Sequence, residues 1–231
     1  MEKFSRTTSL IGDEAFEKLQ NAKIALFGVG GVGSYVLEAL ARSGVGRIDV
    51  FDKDTVDVTN INRQIIATSK TVGQNKAEVA VQRAKEINPN IDARAFVMFY
   101  LPENSKEVNL AEYDYIIDAI DTVTAKIELI VNAQSLDVPI ISSMGTGNKL
   151  DNTAFKIADI YSTKVCPLAR VMRNELKKRG IKKLCVVYSE EEPKANEKAD
   201  GARLPPASIS YVPSTAGLII AGKVIRDIIE K

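Results

Sequence analysis

Six residues, Gly28-Val29-Gly30-Gly31-Val32-Gly33, separate a compact apolar run at 23–27 from a stretch at 34–42. In that stretch Val36, Leu37, Leu40 and Ala41 fall at helical spacing. A glycine turn between a strand and a helix lets the backbone reverse tightly. It also lets a phosphate approach the free N–H groups and positive dipole end of the helix. Gly44 ends the helix, and 47–51 reads as a second strand closing on Asp52. The piece is one βαβ unit. Asp52 follows Gly33 by 19 residues, the place from which a carboxylate accepts hydrogen bonds from ribose hydroxyls. The turn therefore predicts an adenine nucleotide at the head of a doubly wound α/β domain. It leaves NAD and ATP both open.

The rest of the chain continues the alternation. Helices are expected at 13–20, 73–88 (stopped by Pro89), 122–136, 167–179 and 215–229. Strands are expected at 91–99, 113–120, 139–143, 155–160 and near 184–187. Such alternation implies a mainly parallel, Rossmann-like sheet covered on both faces. Texture changes near residue 150. The reading is a nucleotide-binding region at 1–150 and a smaller α+β extension at 151–231, packed on the same domain. The charged stretch 190–206 is expected to be a mobile or ligand-ordered loop.

Composition excludes several chemistries. The 231 residues contain no histidine, which rules out a Ser-His-Asp or Cys-His site and any His-ligated metal. Cys166 and Cys185 are the only cysteines, too few for a zinc site built from four thiolates. Cys185, inside an apolar strand, is expected buried and inert, whereas a reactive role for Cys166 stays open. A net charge of +1 gives no global field for nucleic acid or membrane, so any basic surface is local. The first twelve residues lack the apolar core of a signal peptide. The apolar run 216–225, broken by Gly222 and Lys223, is too short to span a bilayer. A cytoplasmic protein without membrane association is expected.

Three charged positions separate the nucleotides. Arg63, within Asn60-Ile61-Asn62-Arg63-Gln64, can fork across phosphate oxygens. Lys76, 13 residues later, can supply a point charge as negative charge builds on an attacked phosphate. Asp121, ending Asp118-Ala119-Ile120-Asp121, can hold Mg2+. Hydride transfer from NAD needs none of these. Taken singly, the arginine and lysine could be solvated charges, and Asp118 or Asp121 a helix cap.

The set Gly28-x-Gly-Gly-x-Gly33, Asp52 with Asp54, Asn60-x-Asn-Arg-Gln64, Lys76 and Asp118-x-x-Asp121 resembles the ubiquitin-activating-like superfamily, the group of the ThiF and MoeB adenylyltransferases. The resemblance implies adenylation of a carboxylate by ATP-Mg with release of pyrophosphate. Asp52 would hold the ribose, Arg63 and Lys76 the phosphates, and Asp121 the metal. Gly28, Gly30, Gly31, Gly33, Asp54, Asn60, Asn62, Gln64 and Asp118 would complete the nucleotide site. Arg6 matches an N-terminal arginine that reaches a partner's ATP in related dimers, which implies a homodimer.

The second half resembles one branch, the tRNA threonylcarbamoyladenosine dehydratases. It does so through Arg6-Thr7, Leu10-Ile11-Gly12, the run from Cys166 to Gly180, Val187-Tyr-Ser-Glu-Glu-Glu-Pro193 and Tyr211-Val-Pro-Ser-Thr-Ala-Gly217. That branch implies a modified tRNA as substrate, whose threonylcarbamoyl carboxylate is activated and whose carbamoyl group then closes a ring. A monovalent cation (K+ or Na+) and a cysteine-desulfurase or sulfur-acceptor partner belong to the same implications. The two C-x-x-C pairs frequent in sulfur-carrier activators are absent, as is a cysteine in the closing segment. These departures put a carrier substrate second and a thioester step in doubt. An NAD oxidoreductase and a non-catalytic nucleotide-binding partner stand behind both.

Between 164 and 183 lie eight basic residues opposed only by Glu175. On a helix Arg170, Arg173 and Lys177 share one face, with Lys178 and Arg179 beside it. This is a candidate contact for RNA phosphates. The alternative is a solvated face balanced by Glu190 to Glu192.

Overall fold

The structure, a computed structural model, describes residues 2–195, 204 and 206–231. Its helices are α1 (Ser5–Ile11), α2 (Asp13–Asn21), α3 (Gly33–Ser43), α4 (Lys76–Ile87), α5 (Val123–Ser135), α6 (Pro167–Lys178) and α7 (Tyr211–Ile229). Its strands are β1 (Lys23–Phe27), β2 (Arg47–Phe51), β3 (Asp92–Phe96), β4 (Tyr115–Asp118), β5 (Ile140–Ser143), β6 (Phe155–Asp159) and β7 (Cys185–Ser189). They form one sheet in the order β3-β2-β1-β4-β5-β7-β6. Every pairing is parallel except β6 against β7.

This is the expected α/β doubly wound arrangement, and both faces of the sheet are covered. Apolar residues of α3, α4 and α7 pack on one face, and those of α5 and α6 on the other. The stretch after residue 150 adds β6, α6, β7 and α7 to the same sheet and layers. Strand order reverses between β1 and β4, so their following loops diverge and leave a crevice at the carboxyl ends. That crevice receives the glycine turn from β1 and the 118–121 turn from β4.

Several elements differ from their expected bounds for local reasons. The helix expected from 73 starts at Lys76, because Gly73 has φ +86° and Asn75 is extended as its cap. The closing helix begins four residues early, at Tyr211, since Pro213 falls in its first turn, where a missing N–H costs nothing. Helix α1 was not anticipated; none of its residues is buried, so no apolar stripe marks it. The cysteines exchange their expected places. Cys166 is the buried one and Cys185 only half-buried, although burial still pushes the Cys185 thiol above its usual range. Of the stretch 190–206 expected to be a mobile loop, residues 196–203 and 205 lie outside the described residues. Among the described residues no helix is long and apolar enough to cross a membrane.

Candidate active site

The glycine turn is built from steric necessity at two positions. Gly28 has φ +84°, and a Cβ there would sit 2.7 Å from the Ala119 carbonyl oxygen. A Cβ on Gly33 would fall 1.9 Å from the Gly28 carbonyl oxygen. Gly31 backs onto the closing helix, 3.2 Å from Pro213 Cβ by the same measure. Gly30 differs: its nearest neighbour would be Gln64 Nε2 at 3.7 Å, an ordinary contact. The protein itself does not require glycine at that point, so the open space there fits an approaching phosphate. Gln64 Nε2, which borders that space, is a donor that a phosphate oxygen can accept from. Gln64 is buried, and its Oε1 is a buried side-chain atom with no hydrogen-bond partner among the described residues.

Asp52 ends β2 and closes the turn from the other side. Its carboxylate accepts from Val29 N and Asp54 N, at 2.8 and 2.9 Å. Each oxygen keeps a further lone pair for a ribose hydroxyl. Burial raises the Asp52 carboxyl above its ordinary range, against the two backbone N–H groups that lower it.

The loop after β2 then doubles back. Thr55 and Asn75 bridge antiparallel, and Val56 bonds to Gln74 and Gly73. This return delivers Lys76 to Asp54: their side chains meet at 3.1 Å, with Lys76 9% and Asp54 53% exposed. At the apex Asn60 is buried and bonds Asp57 N, closing a capping box. Arg63 donates to Thr59 O and Asn62 Oδ1. Its stem lies beside the glycine turn, with Cγ 3.5 Å from a Cβ built on Gly31. Asn62 donates to Ser208 O, tying this segment to the chain leading into α7.

Asp118 and Asp121 part company. Asp121 is exposed at the crevice and, among the described residues, accepts only from the neighbouring Thr122 hydroxyl. Asp118 has no exposed surface and is held by Lys126, Ser142 and Ile120 N. It therefore supports the turn from beneath. Sequence reading missed Lys126, yet a signal existed: Lys126 stands three, four and seven residues before Leu129, Ile130 and Ala133, in register with the apolar face of α5.

Arg6 lies outside this group. Lys3, three residues before it, bonds Asn88 at the far end of α4. Twelve helical residues separate that end from Lys76, about 18 Å. The N-terminal segment is thus remote from its own crevice.

Helix α6 starts beside the crevice, since Cys166 Sγ lies 3.9 Å from a Cβ built on Gly145, after β5. Arg170 and Lys177 are exposed on it. Arg173 is half-buried and donates to Thr163. Lys178 and Arg179 pair with Glu175. Two residues of the acidic stretch are engaged elsewhere. Glu190 pairs with Lys156, and Glu191 accepts from Leu150 N and Asp151 N.

Fold and crevice together define a Rossmann-like nucleotide-binding protein with a phosphate-cradling glycine turn. The chain belongs to the ThiF family, whose model matches residues 4–231. It is 45% identical over its whole length to the tRNA threonylcarbamoyladenosine dehydratase of Bacillus subtilis, covering 96% of that protein. Two solved structures of the Escherichia coli tRNA N6-threonylcarbamoyladenosine dehydratase are similar throughout. The complex with AMP superposes with a TM-score of 0.92 and the complex with ATP with 0.88. Each is 32% identical, over 99% of this chain and 94% of the other.

Proposed function

We propose that this chain is an ATP-dependent tRNA threonylcarbamoyladenosine dehydratase. The observation that carries the reading is full-length similarity to dehydratases; an open glycine turn with the Arg63 stem beside it supports it. A carboxylate oxygen of the threonylcarbamoyl group attacks the α-phosphorus of ATP, and pyrophosphate leaves. The carbamoyl group then attacks the acyl carbon, AMP leaves with the carboxylate oxygen, and the ring closes with net loss of water. No external nucleophile is needed, so the absence of histidine is no obstacle.

Each residue has a distinct task. The N–H groups of the turn and of α3 hold the phosphates. Asp52 accepts from the ribose, and Asp54 aims Lys76. Arg63 and Lys76 stabilise charge that builds during attack. Asn60, Asn62 and Gln64 shape the phosphate wall. Among the described residues no cluster of three or more metal-ligating side chains exists. Mg2+ needs none, being held by one or two carboxylates plus phosphates. Asp121 would hold it, and the bound ion would mask triphosphate charge. Arg6, far from its own crevice, serves the ATP of a second copy in a homodimer. A K+ or Na+ ion, a sulfur-acceptor partner and a cytoplasmic setting complete the reading.

The deciding experiment is nucleoside mass analysis of threonylcarbamoyladenosine-bearing tRNA incubated with protein and ATP-Mg. Loss of one water is expected, and an unchanged nucleoside refutes the function. Pyrophosphate exchange stimulated by a small sulfur-carrier protein would instead support the adenylyltransferase alternative.

For tRNA, the line from the crevice along α6 is the proposed contact, formed by Arg170, Arg173 and Lys177 with Lys178 and Arg179 at its end. Replacing Arg170 and Lys177, the two exposed residues outside the Glu175 pairings, with alanine is expected to weaken tRNA binding and spare ATP binding. The salt slope of tRNA binding should fall by about one per side chain. Unchanged tRNA affinity in a filter-binding titration over salt concentration would remove α6 from the interface.

A further inference from the structure

Lys126 has no exposed surface. Its ammonium donates to Ser143 O at 2.8 Å and Ile120 O at 3.1 Å and forms an ion pair with Asp118 Oδ2 at 2.9 Å. Asp118 is equally buried and also accepts from Ser142 Oγ at 2.5 Å and Ile120 N at 3.1 Å. One side chain of α5 thus ties together the carboxyl ends of β4 and β5 and the turn that follows β4.

A buried ion pair is a weak device for stability alone, because desolvation offsets the attraction and apolar residues fill the same space as well. What an apolar residue cannot do is restrain two carbonyl oxygens at the mouth of the sheet. The restrained turn has two faces. Its backbone at Ala119 and Ile120 forms the wall against which Gly28 closes. Its end carries Asp121 into the crevice.

We propose that Lys126 is a positioning residue for the triphosphate site, fixing the 119–121 turn so that Asp121 is preset for Mg2+. Lys126 touches no substrate and acts through the turn. The inference rests on the reading of Asp121 as the metal ligand, so the test separates the two.

ATP affinity is measured by calorimetry with and without Mg2+ on the full chain, for wild type, Asp121→Asn and the double variant Asp118→Asn/Lys126→Met. The double variant removes both charges and leaves neither unpaired. Thermal melts establish that it folds. The expected result is wild-type affinity for metal-free ATP, with the Mg2+-dependent gain reduced about 10- to 100-fold. The Mg2+ concentration for half-maximal turnover should rise by a similar factor. A second double variant, Asp118→Asn/Lys126→Gln, restores an amide donor toward the carbonyls and should recover part of the gain. If Asp121→Asn keeps the full gain, the metal reading of Asp121 fails and this proposal with it. If Asp121→Asn loses the gain and Asp118→Asn/Lys126→Met keeps it, the pair is packing alone and the proposal is overturned. If neither double variant folds, the pair is a requirement of the fold and a separate positioning role is withdrawn.

Discussion

Lys76→Ala is expected to slow tRNA cyclisation by about 100- to 1,000-fold while leaving a folded protein. The expectation follows from where the lysine stands. It opens α4, where the helix dipole is already positive and a cation is disfavoured by a few tenths of a kcal/mol to about 1 kcal/mol. Its side chain is nine-tenths buried, and its ammonium pairs with Asp54. Removing it relieves the dipole and frees a half-exposed Asp54, so the melting midpoint should change by no more than about 1 kcal/mol of stability allows. The lost positive charge matters only as charge builds on the attacked phosphate, so kcat should fall far more than ATP affinity. Single-turnover nucleoside analysis with a parallel thermal melt reads both quantities. A variant that turns over at the wild-type rate would show that Lys76 does not act on the attacked phosphate.

Two alanine substitutions in the same glycine turn should fail in opposite ways. Gly33→Ala places its methyl 1.9 Å from the Gly28 carbonyl oxygen, a backbone atom that cannot swing aside. The turn must open, at a cost of about 1–3 kcal/mol or more, and ATP affinity falls with it. Gly30→Ala meets only the Gln64 amide at 3.7 Å. That variant should melt like wild type yet lose ATP binding, because its methyl takes the space left for a phosphate. Denaturant melts and ATP titrations on the pair decide the point. Gly30→Ala with unchanged ATP affinity would show that the phosphates lie elsewhere.

Much of this was legible in the chain. The strand-turn-helix unit and Asp52 followed from residue types with strict local geometry. Arg63 and Lys76 were found as charges in the right loops, although the Thr55–Asn75 bridge that unites Lys76 with Asp54 has no sequence signature. Asp118 enters the nucleotide site only through the family resemblance carried by Asp118-x-x-Asp121. Only the packing of α5 reveals it as Lys126's partner. Helix α1 escaped because burial writes periodicity, and α1 has no buried residue, only Ile11 packed partly against the core.

The closing helix has a consequence for synthesis. Pro213 sits against Gly31, and a Cβ on Gly217 would lie 2.4 Å from Val32 O, so α7 is moulded onto the glycine turn. Val32 and Gly217 are 185 residues apart. A polypeptide emerging from the ribosome therefore exposes its phosphate cradle, uncovered, until nearly all of these residues have been made. Closing so distant a contact is slow for topological reasons. Nascent chains should thus acquire ATP binding in one late step, when α7 emerges and seals the turn from behind.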